Sequence, residues 1–159
     1  MNHEFADLIQ RGGVFYHVPG ASPPEVLKNL VDAAGPSLPS VNRERLLEAV
    51  LEREALMSTA IGRGIALPHP RTPLITGPGE QRVLIAFPDR EVDWKALDGE
   101  PVHTVMLIVS ASTKLHLHTL SGLNFLCRQE KFLALLKKHP SLEEITAFLN
   151  AAEETWERA

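Results

Sequence analysis

The chain is poor in cysteine, in long apolar runs and in clustered charge, and each shortage removes a class of function. Its 159 residues include one cysteine, Cys127. One thiol cannot close an internal disulfide, and within GLNFLCRQ it reads as a small buried hydrophobe. No apolar run approaches the ~20 residues of a membrane span. The opening MNHEFADLIQRGG has acidic residues and no apolar core, so it does not read as a signal peptide. A cytoplasmic location is expected. Lys and Arg number 16 against 20 Asp and Glu, a formal charge of −4. The signs are interleaved, and no basic block points to nucleic acid or a membrane surface. Repeats and low-complexity segments are also missing. What is there, 44% apolar and 23% charged residues, fits a soluble globular domain, expected to be single over 1–159.

GVFYHV (13–18) is β-branched and aromatic and predicts a short strand. In SPPEVLKNLVDAAG, Ser22 suits an N-cap, Pro23 the first helical position, and Glu25 completes a capping box. Val26, Leu27, Leu30, Val31 and Ala34 share one helical face, and Gly35-Pro36 stops it. A second helix opens at Asn42, buries Leu46, Leu47, Val50 and Leu51, and ends around EREAL. Strand fragments and turns follow to residue 80. RVLIAFP (82–88) and VHTVMLIVS (102–110) are nearly continuous apolar runs, as central strands covered on both faces require. Asp98-Gly99 between them signals a tight turn and an antiparallel pairing. The last third is helical up to His139-Pro140, with a further capping box at Ser141 and Glu144. The expected fold is α/β: a three-layer domain whose mixed, roughly five-stranded β-sheet is flanked by helices on both faces.

Of seven histidines, only His116 and His118 form a close pair. Two residues apart on a helix, their rings diverge, and no Cys pair or HExxH accompanies them, so no metal site is expected. There is no Gly-Lys-Ser/Thr phosphate loop and no GxSxG elbow. His69 remains, in GIALPHPRTP (64–73). Prolines on both sides restrict its backbone, and Gly62 and Gly64 allow close chain approach. A neutral imidazole is a competent nucleophile near neutral pH. Attack on phosphorus further needs a fixed ring and cationic or N–H donors for the phosphoryl oxygens. Spacing alone leaves a second reading open, a histidine in a proline-stiffened turn.

EREALMSTAIGRGIALPH (52–69) resembles the signature of the type-2 enzyme IIA domains of the phosphoenolpyruvate:sugar phosphotransferase system. These include fructose and mannitol IIA domains and nitrogen-regulatory IIA proteins. VDWKALDGEPVHTVMLIVSAS (92–112) and LHLHTLSGLNFLCRQEKFLALLKKHPSLEEITAFL (115–149) resemble two further blocks, so the likeness runs over roughly 43–150. It implies a phosphohistidine intermediate with no bound cofactor. His69 matches the phosphorylated histidine, Arg53 an active-site arginine and His116 a second active-site histidine. His118 is expected to face solvent, and Arg63 and Arg71 are left outside the catalytic set. Pro70 departs from the small residue that commonly follows the active histidine and removes a backbone N–H. The implied partners are an HPr-like phosphocarrier and either an IIB domain or a regulatory target. No IIB or membrane segment is joined in this sequence, on which the nitrogen-regulatory branch is expected over sugar uptake. A partner-binding module that never takes phosphate is the other alternative. The expectation is that the stiffened loop presents the ring at 69 to solvent, with Arg53 and His116 converging beside it.

Overall fold

The two apolar runs form the centre of the sheet in a computed structural model that describes residues 3–38 and 42–158, side chains to 155. They are β4 (Arg82–Pro88) and β5 (Thr104–Val109), paired antiparallel with Leu84 opposite Leu107. The connection between them turns where Asp98-Gly99 predicts it: Gly99 N–H donates to Ala96 O, and Val92 and Val102 bridge on either side. β1 (Val14–Val18) lies parallel to β4, and β3 (Ile65–Ala66) parallel to β5. β2 (Ala60–Gly62) closes the edge antiparallel to β3, giving the order β1-β4-β5-β3-β2. A mixed five-stranded sheet is therefore present.

Strand alternation divides the core. Val83, Ile85 and Phe87 of β4, with Met106 and Ile108 of β5, face one helical layer. That layer comprises α1 (Glu4–Gly12), α4 (Thr113–Leu126), α5 (Glu130–Lys137) and α6 (Leu142–Arg158). Leu84, Ala86, Val105, Leu107 and Val109 face α2 (Pro23–Ala33) and α3 (Arg43–Leu56) on the other side. Both central strands are covered on both faces, which is why their polar positions are so few.

The helix starts follow the local chemistry. Ser22 Oγ accepts from Glu25 N at 3.5 Å, Asn42 Oδ1 from Arg45 N at 3.1 Å, and Ser141 Oγ from Glu144 N at 3.1 Å. In return Ser141 N–H donates to Glu144 Oε1 at 3.2 Å, completing that capping box. On α3, Leu46 and Val50 are buried while Leu47 and Leu51 are partly so. The last third is not one continuous helix before His139. It breaks at 127–129, where Arg128 N–H donates to Phe125 O and Gln129 N–H to Leu126 O. The redirected chain then brings Phe132, Leu133 and Leu136 into the same core.

Helix α1 occupies a segment for which the sequence reading has no element. It buries Phe5, Ala6, Leu8, Ile9 and Gly12 against β4 and α6. Its N-cap residue, His3, makes no side-chain capping bond. The cap comes instead from the far end of the chain: Phe5 N–H donates to the buried carboxylate of Glu153, on α6, at 3.0 Å. Among the described residues, no helix is long and apolar enough to cross a membrane.

Candidate functional site

The segment leading to His69 is an extension of the sheet. Beyond β3, Leu67 N–H donates to Thr59 O at 3.0 Å, and Ile108 N–H donates to Pro68 O at 3.0 Å. Pro68 and Pro70 then hold the histidine between two restricted neighbours. The ring folds back on its own chain, with Nδ1 lying 2.8 Å from Leu67 O. A carbonyl oxygen can only accept, so Nδ1 carries the proton and Nε2 keeps its lone pair.

His116 sits in the first turns of α4. Ser112 fixes that start by accepting from Leu115 N at 3.1 Å. The rings of His69 and His116 lie 4.4 Å apart between centroids, tilted by 45°. Arg53, in the last turn of α3, donates from Nη1 to Met57 O at 2.7 Å. Its charge bears on both imidazoles. Three residues separated by up to 63 positions thus form one cluster.

Electrostatics keep both rings neutral at neutral pH. Burial lowers the pKa of His69, the Leu67 carbonyl opposes this, the charge of Arg53 adds to it, and Glu54 counters it. His116 is pushed down to about 4, by burial first and then by His69 and Arg53. A neutral His69 is the form that can attack; a neutral His116 retains one N–H to offer a phosphoryl oxygen.

One expectation fails. The loop does not present the ring to solvent, since His69 is only 8% exposed. Pairing of 67–68 with the sheet draws the segment inward, and the tilted ring of His116 packs against the imidazole. Exposed apolar side chains belong to the chain neighbours of the other two residues: Leu56 and Met57, which follow Arg53, and Leu117, which follows His116, are 62%, 71% and 59% exposed.

The other candidate residues go elsewhere. His118 faces outward but is paired, its Nε2 lying 2.8 Å from Glu4 of α1, so it diverges from His116. Arg63 lies in the β2–β3 turn, bonded to Arg128 O and Glu130. Arg71 is exposed, yet with Pro70, Ser110, Thr113 and His116 it bounds a cavity of about 30 Å³ beside the site. A larger groove of about 550 Å³, lined by Arg63, Leu97, Asp98 and Arg128, touches none of the three clustered residues. Its size gives it no share in their chemistry. Cys127 is buried and its thiol is raised to about 12, as an inert core residue should be.

Sequence reasoning misses Glu54. Its carboxylate accepts from Thr59 N at 2.8 Å, Thr59 Oγ1 at 2.6 Å and Trp94 Nε1 at 3.1 Å. One signal was available: a carboxylate in the last helical turn opposes the helix dipole and so calls for tertiary partners.

Comparison with known proteins agrees with this architecture. The profile of the family described as phosphoenolpyruvate-dependent sugar phosphotransferase system, EIIA 2, matches residues 7–152. A nitrogen regulatory protein from Pseudomonas aeruginosa is 30% identical over 140 residues, 87% of this chain and 89% of that protein. A fructose-specific EIIABC component from Bacillus subtilis is 35% identical over 113 residues. That match takes in 69% of this chain but spans only 17% of the larger protein. The crystal structure of nitrogen regulatory protein IIA-Ntr from Neisseria meningitidis superposes with a TM-score of 0.73 at 24% identity, covering 91% of this chain and 97% of that one. At that identity the last likeness is one of fold.

Proposed function

The chain belongs to the EIIA type 2 family of the phosphoenolpyruvate-dependent sugar phosphotransferase system, and from that premise we propose that His69 is its phosphoryl acceptor. The observation that carries the reading is the bond from Nδ1 to Leu67 O, which leaves Nε2 as the nucleophile beside His116 and Arg53. The donor is a histidine-phosphorylated carrier of the HPr type. The Nε2 lone pair of His69 forms the new N–P bond as the donor's N–P bond breaks and its electron pair returns to the donor ring. Arg53 and the remaining N–H of His116 meet the charge on the phosphoryl oxygens. The small accessible part of His69 is where the donor approaches, which confines the reaction to a docked protein and keeps bulk water from the phosphorylated ring.

Loss of the N–H at Pro70 shifts oxygen binding onto side chains, which makes Arg53 and His116 matter more here. The protein acts in the cytoplasm, where its carrier partners are. The group then goes to an IIB domain or stays as a regulatory mark. The nitrogen-regulatory branch is favoured by the breadth of that match, 87% of this chain against 69% for the fructose-specific component. The higher identity to the latter, 35%, supports the sugar-specific reading as the second.

Phosphoryl transfer from the upstream carriers, followed by mass spectrometry under non-acidic conditions, tests the assignment. The parent is expected to gain one phosphoryl group and His69→Ala none; equal labelling of the variant would end the reading. Onward transfer to an IIB domain marks the sugar branch, and a persistent mark that changes the bound partner marks the regulatory one.

A further inference from the structure

Glu54 stands at the head of a hydrogen-bonded chain that ends on the imidazole of His69. Trp94 Nε1–H and Thr59 Oγ1–H both donate to Glu54 Oε1, and Thr59 N–H donates to Oε2. The carbonyl of Thr59 accepts from Leu67 N–H, and the carbonyl of Leu67 accepts from Nδ1–H of His69. Thr59 is buried and Trp94 almost wholly so. Neighbouring residues of α3 grip the same short segment. Arg53 holds Met57 O, Glu54 holds Thr59, and Ser58 Oγ–H between them donates to Trp94 O.

We propose that Glu54 is a positioning residue for phosphoryl transfer: fastened by Trp94, its carboxylate pins Thr59 and so, through Leu67, fixes the proton of His69 on Nδ1. This rests on the reading of His69 as acceptor. A ring that takes the other tautomer offers an N–H donor at the very atom that must attack phosphorus, and transfer then stops. Three charge-assisted donors on a single carboxylate make a rigid anchor. The same anchor holds Arg53 indirectly, because both side chains close on residues 57–59. Glu54 never meets the phosphoryl group in this scheme. Its negative charge also offsets the effect of Arg53 on His69.

The test compares Glu54→Gln and Thr59→Val with Thr59→Ser, which keeps the hydroxyl. Nitrogen NMR of the imidazoles reads the tautomer of His69, and phosphoryl transfer from an HPr-type carrier is measured beside it. The parent is expected to hold the Nδ1–H tautomer alone. Glu54→Gln and Thr59→Val should show the Nε2–H form, with kcat reduced about 10- to 100-fold and KM for the carrier unchanged. Thr59→Ser should recover most of the rate and the parent tautomer. Unchanged tautomer and kcat in both disruptive variants, with His69→Ala still unlabelled, would overturn the role of Glu54 and leave the acceptor assignment standing. If the parent takes no phosphate, the acceptor reading falls, and the tautomer alone then decides whether Glu54 governs the ring. Should Glu54→Gln not fold, the near-isosteric Thr59→Val carries the comparison.

Discussion

Acidification from about pH 7 to about pH 4 protonates His116 in the unfolded chain well before it does so in the folded protein. The unfolded imidazole titrates at its ordinary 6.5; the folded one, lowered chiefly by burial and further by His69 and Arg53, titrates at about 4. Between these values the unfolded state holds more protons, so unfolding becomes easier as the pH falls. Each unit of separation corresponds to about 1.4 kcal/mol, so the whole window is bounded by about 3 kcal/mol, and solvent screening of the half-buried ring reduces it below that bound. The stabilisation is complete above 6.5 and is gone once the folded ring is itself protonated. Urea unfolding of the parent and of His116→Gln, at a series of pH values, isolates this contribution. His69 is lowered too, mainly by burial, and titrates with His116, while two groups outside the pair also act in this range. His103 is lowered, mainly by burial, and adds to the slope. Glu153 is raised, mainly by burial, and opposes it, because there the folded state holds the extra proton. Both are common to parent and variant and cancel in the difference. With the rings 4.4 Å apart, the measured difference belongs to the His69–His116 pair. Parallel curves for the two proteins from about pH 7 to about pH 4 would refute the argument.

Two further outcomes follow from the packing. A Cβ at Gly12 would lie 2.0 Å from Val83 O, a backbone atom of β4 that cannot swing aside. Gly12→Ala should therefore destabilise the protein by about 3 kcal/mol in thermal unfolding, and a parent-like melting temperature would contradict the contact of α1 with the sheet. Ser112→Ala removes the acceptor for Leu115 N one turn before His116. It should cost about 1 kcal/mol in urea unfolding, and no change would show that this cap is idle.

The elements legible in the sequence are those whose causes are local. The central strands stand out because burial on both faces leaves them almost wholly apolar, and α2 because Ser22, Pro23 and Gly35-Pro36 mark its ends. Helix α1 is not legible although Phe5, Ile9 and Gly12 recur at helical spacing before Gly13; its cap is a carboxylate 148 residues away, which no local window contains. At the site, the motif around His69 and its family resemblance single out Arg53, His69 and His116. The near burial of His69 was not legible, because it depends on pairing of residues 67–68 with the sheet and on a ring brought in by α4. Glu54 was hidden for the same reason, since Thr59 and Trp94 reach it from separate segments.

The tie between Phe5 and Glu153 also sets an order of events during synthesis. Residues 4–12 leave the ribosome before their partners in β4 and, later still, α6. At ordinary elongation rates the delay is on the order of 10 s. Throughout it Phe5 and Ile9 have no native surface to cover them, so this stretch of the newborn chain is where holding chaperones should bind.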